Sequence, residues 1–158
     1  MPVHEWNAAD FIANHRTWIR FADDGLTKLL HKGRVSAGDL LYLGGCRLKT
    51  ESKLRSMEHD INTDKVVFIE YSSTCSVSED PEHVCVNSLQ DLVSFVETLA
   101  CADPKPRAVI LLELEDVLKG YRICKLERLI LELLSSQVAV ITNWSVLASL
   151  STQRIVLL

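Results

Sequence analysis

The sequence has no excess of basic residues and no long apolar run. Its 17 lysines and arginines are outnumbered by 21 aspartates and glutamates, so the net charge is −4. No global positive field exists to attract nucleic acid, and any such contact has to be local or supplied by a partner. No signal peptide opens the chain, and no apolar run reaches the roughly 20 residues of a membrane span. We expect a soluble, intracellular protein with no membrane partner.

The cysteines lack a C-x-x-C pair, and their number, five, is odd. Three of them, Cys85, Cys101 and Cys124, lie in apolar stretches, which predicts reduced, partly buried thiols in a cytosolic or nuclear protein. The five histidines are scattered rather than placed at ligand spacing. The sequence therefore predicts no metal site.

Apolar segments of strand length alternate with amphipathic segments of helix length. The predicted strands cover 40–43, 65–70, 83–86, 107–113, 137–143 and 154–158. The predicted helices cover a short segment around 26–30 that stops at Gly33, then 50–57, 89–100 and 126–134. This alternation predicts an α/β fold with a mostly parallel sheet. The segment 107–113 is the most apolar, so we expect it at the centre of the sheet.

The first twenty residues form an aromatic N-terminal arm, and residues 21–158 form one core domain. The arm carries Trp6, Phe11 and Trp18. These side chains either pack back on the domain or dock on a neighbouring protein, since tryptophan is a common anchor residue at interfaces. Both alternatives remain open from the sequence.

The stretch Leu43–Thr50 runs from a buried strand through two glycines to a Lys-Thr pair at the start of a helix. This layout is that of a phosphate-binding loop, G-x-x-x-x-G-K-[ST]. The spacing from Gly44 to Lys49 is one residue short, and Leu48 occupies the position of the second glycine. One missing residue displaces the amide donors by about 3.3–3.6 Å, more than a hydrogen bond tolerates. We expect the phosphate cradle not to form.

In order, the segments from about 19 to 158 resemble the ATPase core of RecA-type recombinases, above all the eukaryotic strand-exchange recombinase and its paralogues. The matching segments are the entry segment Asp24–Gly33 with Ala37–Leu40, the Walker A region Leu43–Thr50, the second strand Lys65–Glu70, the Walker B strand Arg107–Glu113, the V-V-I-T-N-like strand Val138–Asn143 and the T-R-[IL]-x-L-like strand Thr152–Leu157. The resemblance implies a truncated RecA-like core.

The resemblance extends to the arm, where Trp6-Asn7-Ala8-Ala9 is similar to the F-x-x-A polymerisation motif, with tryptophan in place of phenylalanine. In the family the aromatic residue fills a pocket on the neighbouring subunit. The partner interface that this implies consists of Trp6, Ala9, Phe11 and Trp18.

The resemblance also implies a degenerate nucleotide site. It consists of Gly44, Gly45, Lys49, Thr50 and Glu113. The family's lysine meets the β- and γ-phosphates and its threonine holds Mg²⁺.

Two other catalytic positions of the family are altered. The position of the general base is Ser72, whose hydroxyl cannot accept a proton at neutral pH. Glu113 replaces the Walker B aspartate. We expect no catalytic residue, no hydrolysis and no cofactor of the protein's own, with ATP-Mg bound only weakly or through a partner subunit.

The family's two DNA-contacting loops correspond to the short segments between Asp116 and Lys125 and between Asn143 and Gln153. The first contains a small basic and aromatic group, formed by Lys119, Tyr121, Arg122 and Lys125. This group either touches a phosphate backbone or stacks on a base, or it is a solvated loop before a helix.

These features together imply a nuclear, non-catalytic subunit of a recombinase-paralogue complex. It would form a heterodimer with another paralogue and remodel recombinase filaments on single-stranded DNA, touching the DNA directly or through the partner. Two alternatives stay open. One is a non-catalytic RecA-like scaffold subunit of an Elongator-type complex, and the other is a weak ATPase that uses Lys49, Thr50 and Glu113.

Overall fold

A computed structural model of the protein describes residues 18–19, 24–60, 66–72, 83–103, 105–113 and 124–158, with the backbone alone at 18–19, 24, 32 and 58–60. The elements in chain order are β1 (Trp18–Ile19), α1 (Asp24–Leu29), a 3₁₀ turn (His31–Gly33), β2 (Val35–Ser36), β3 (Leu40–Gly45), α2 (Arg47–Asp60), β4 (Val66–Tyr71), β5 (His83–Val86), α3 (Leu89–Cys101), β6 (Ala108–Glu113), α4 (Cys124–Ser135), β7 (Ala139–Thr142), a 3₁₀ helix (Ser145–Leu150) and β8 (Gln153–Leu157). The expected α/β fold is confirmed.

Six of the described strands form one sheet in the order β5-β4-β6-β7-β3-β8. Every neighbouring pair in it is parallel. β1 and β2 form a separate antiparallel pair. β6 lies inside the sheet between β4 and β7, and all six of its residues are buried. Its central position, expected from its apolar sequence, is confirmed.

Helices cover both faces of the sheet, as a parallel sheet requires. Alternate residues of β6 face opposite ways, so Val109 packs in one core cluster and Ile110 in the other. The first cluster contains the buried sides of α3 and α4. The second contains residues of α1 and α2.

The helices that border the first cluster follow the sequence pattern closely. Ser88 precedes α3, and its side-chain oxygen accepts a hydrogen bond from the Asp91 N–H at 3.1 Å. Ser88 is thus the N-cap of α3, and it satisfies one of the free donors of the first turn. The buried stripe of α3 consists of Leu92, Val96 and Leu99.

α2 begins earlier and runs longer than the predicted 50–57. It covers 14 residues from Arg47 to Asp60 and is polar. Its buried described side chains, Thr50, Leu54 and Met57, follow an i, i+4, i+7 spacing that forms one narrow stripe. A narrow stripe is enough to seat the helix on the sheet while its other faces remain polar.

The cysteine prediction is partly wrong. Cys46, Cys101 and Cys124 are free but exposed rather than partly buried. Cys101 is the last residue of α3 and Cys124 the first of α4, and helix ends are open to solvent. Cys85 is buried in β5, and it is disulfide-bonded rather than reduced. Cys75 lies outside the described residues.

Neither of two further features is found within the described ranges. No helix there has the length and apolar character that crossing a bilayer requires. No group of three or more His, Cys, Asp or Glu side chains in the same ranges could hold a metal ion.

Candidate functional site

The carboxyl ends of β3, β6 and β7 meet at one edge of the sheet, which is where α/β proteins place their ligands. A cavity of about 280 Å³ opens there. Its lining residues are Tyr42, Leu43, Gly44, Gly45, Arg47, Thr50, Glu113, Asn143 and Ser145. The structure therefore brings together four of the five residues predicted for the degenerate nucleotide site, and Lys49 is the one left out.

The glycines of this site belong to a strand. β3 continues through Gly45, which is in register with Leu157 of β8, and α2 begins at Arg47. A single residue, Cys46, joins the two elements, and its N–H donates to the Leu157 carbonyl oxygen at 2.7 Å. The predicted glycine loop over 44–49 is therefore the end of a strand followed by the first turn of a helix.

Lys49 points away from the cavity. Lys49 is not among the described residues that line the cavity. The Lys49 side chain is exposed, and its ammonium donates to the backbone oxygen of Leu158. Thr50 is buried against the sheet, and its hydroxyl donates to the Arg47 carbonyl at 2.9 Å.

Glu113 and Asn143 link the ends of β6 and β7. The Glu113 backbone N–H donates to the Asn143 Oδ1 at 3.0 Å, and the Asn143 Nδ2 donates to the Glu113 carbonyl at 3.4 Å. The Glu113 side chain is buried at the cavity. Glu113 was expected at this site from the sequence and Asn143 was not, although a polar residue directly after a buried strand was an available signal.

A second link between these strands lies one residue earlier. The Thr142 hydroxyl donates to the Leu111 carbonyl at 2.8 Å and accepts from the Trp144 N–H at 3.0 Å. The Trp144 ring is buried and stacks on Tyr71 of β4, with ring centroids 5.7 Å apart and planes 9° apart. The hydrogen bonds of Thr142 and Asn143 thus hold the chain in place where it leaves the sheet at the end of β7.

The charged side chains at the cavity are Arg47 and Glu113. Arg47 and Thr50 stand at the start of a helix, whose free N–H groups and dipole favour negative charge. Glu113 lies on a different strand and repels an anion. One wall of the cavity carries hydrogen-bond donors, and another carries the Glu113 carboxylate. Such a cavity suits a small polar ligand.

Ser72 does not line this cavity. It follows β4, and its N–H donates to the Val86 carbonyl of β5 at 3.1 Å. The residue is buried. The structure thus places Ser72 at a different point of the sheet edge from Thr50 and Glu113.

Most of the other residues predicted to contact a partner or DNA lie outside the described part of the chain. Trp6, Ala9 and Phe11 lie outside the described residues, and so do Lys119, Tyr121 and Arg122. The backbone of Trp18 pairs with Ser36 in the small antiparallel ladder of β1 and β2.

Lys125 is described and lies in the first turn of α4. Its ammonium is 3.4 Å from the Glu97 carboxylate of α3, and both side chains are more than half exposed. The segment between Asn143 and Gln153 was predicted as a short loop. It contains the 3₁₀ helix Ser145–Leu150, whose Leu147 is buried in the core.

Comparison of the sequence with models of protein families gives no match, and no curated protein sequence matches it either. The structure itself defines an α/β protein with a parallel sheet. A small cavity lies at the carboxyl edge of that sheet.

Proposed function

We propose that the protein is a non-catalytic RecA-like subunit of a recombinase-paralogue complex. It assists homologous recombination by binding and remodelling recombinase filaments on single-stranded DNA. One observation carries the non-catalytic part of this proposal: a single residue, Cys46, joins β3 to α2, and its N–H bonds to Leu157. Phosphate-binding loops need several such N–H groups pointing at the ligand.

The geometry of the sheet supports the RecA-like part. The resemblance assigns the Walker A region to β3, the Walker B position to the end of β6 and the Thr-Asn ending to β7. The parallel sheet brings these three strand ends to one cavity. Segments that are far apart in the sequence therefore meet at one edge of the sheet, which is what a RecA-like nucleotide site would require. This site has the layout of a nucleotide site but no working phosphate-binding loop. Such a site would result if the protein descended from an ATPase and then lost ATP hydrolysis.

The mechanism acts through interfaces. RecA-like cores stack on one another in filaments, so a subunit that does not hydrolyse ATP can still cap or template a filament. The partner of this subunit is a second paralogue, and the aromatic arm with Trp6 is the surface that docks on it. We expect this protein to have no cofactor of its own and to bind ATP-Mg only weakly or through the partner subunit. Single-stranded DNA is contacted through the partner or by the group formed by Lys119, Tyr121, Arg122 and Lys125.

The test has two arms. The tagged protein is purified from cells and its partners are identified, and the purified protein is then added to recombinase filaments growing on single-stranded DNA. We expect a recombinase paralogue to co-purify and filament growth to change. Co-purification of Elongator subunits instead would favour the scaffold alternative. If no paralogue binds and the filaments are unchanged, the proposal is wrong.

A further inference from the structure

We draw no further inference here: the strongest candidate, the exposed apolar surface at the outer edge of β8, which includes Val156 and Leu158, has nothing in the structure to show what covers it.

Discussion

The α-carbon of Gly45 lies against the carbonyl of Leu157, so closely that a Cβ on Gly45 would overlap the Leu157 backbone. The two residues are in register at the end of the β3–β8 pair. Gly45 also has a φ of +98°, a conformation that side-chain-bearing residues rarely adopt. The glycine that looked like part of a phosphate loop is therefore needed where two strands end side by side.

Gly45→Ala is expected to be strongly destabilising. The positive φ alone costs of order 1–3 kcal/mol, and the overlap with backbone forces β3 and β8 apart, so we expect a total loss of about 2–4 kcal/mol. Urea denaturation followed by circular dichroism measures the loss.

Gly44→Ala is the matched control. A Cβ there would meet the outer ring atoms of Tyr42, starting at 2.9 Å, and a ring can move where a backbone cannot. We expect this variant to lose about 1 kcal/mol. Equal losses for the two variants would contradict the proposed role of Gly45.

Asn143→Ala tests the link between β6 and β7. It removes the acceptor of the Glu113 N–H and leaves this donor without its Asn143 partner. An unsatisfied buried donor costs about 1–3 kcal/mol, and we expect that loss in the free energy of unfolding. Asn143→Asp keeps the acceptor but adds a negative charge near Glu113, so it should also destabilise, and less so at acidic pH. Wild-type stability of both variants would show that the link contributes nothing.

Trp144→Ala tests the stacked pair at the end of β7. The Trp144 ring is fully buried against Tyr71, and truncation of a buried aromatic side chain costs about 3–5 kcal/mol. Thermal unfolding should show a large decrease in Tm. Val156→Ala, which truncates an exposed side chain, should change stability by less than about 0.5 kcal/mol. A small effect at Trp144 would mean that the ring is not part of the core.

Trp6→Ala tests the aromatic arm. Truncation of an interface anchor typically costs about 2–4 kcal/mol of binding free energy, so we expect a clear loss of affinity for the paralogue partner in a titration of purified proteins. Leu29→Ala, which truncates an exposed apolar residue of α1, should bind normally. Unchanged affinity of Trp6→Ala would favour the alternative in which Trp6 packs on its own domain.

Much of the fold was predictable because its signals are local. β6 is apolar up to its last residue, Glu113, and is a buried inner strand, and α3 shows a clear stripe after the Ser88 cap. α2 was predicted too short because, among its described side chains, only Thr50, Leu54 and Met57 face inward, a pattern too sparse to mark its start.

The candidate site was only partly predictable. Spacing in the sequence identified Gly44, Gly45 and Thr50 as neighbours, and they line one cavity. Lys49 does not line the cavity because its side chain extends to the backbone oxygen of Leu158, 109 residues later in the chain, and no local pattern contains that contact. The contact between Gly45 and Leu157 joins residues far apart in the chain, so no local pattern contains it.

The most direct test of the central claim compares the wild-type protein with Thr50→Val in recombinase filament growth on single-stranded DNA. Thr50 lies in the cavity, and valine keeps its shape while removing the hydroxyl that a working loop would need for Mg²⁺. The account predicts that both proteins change filament growth to the same extent. It is contradicted if the wild-type protein has no effect, or if Thr50→Val folds normally and loses the effect.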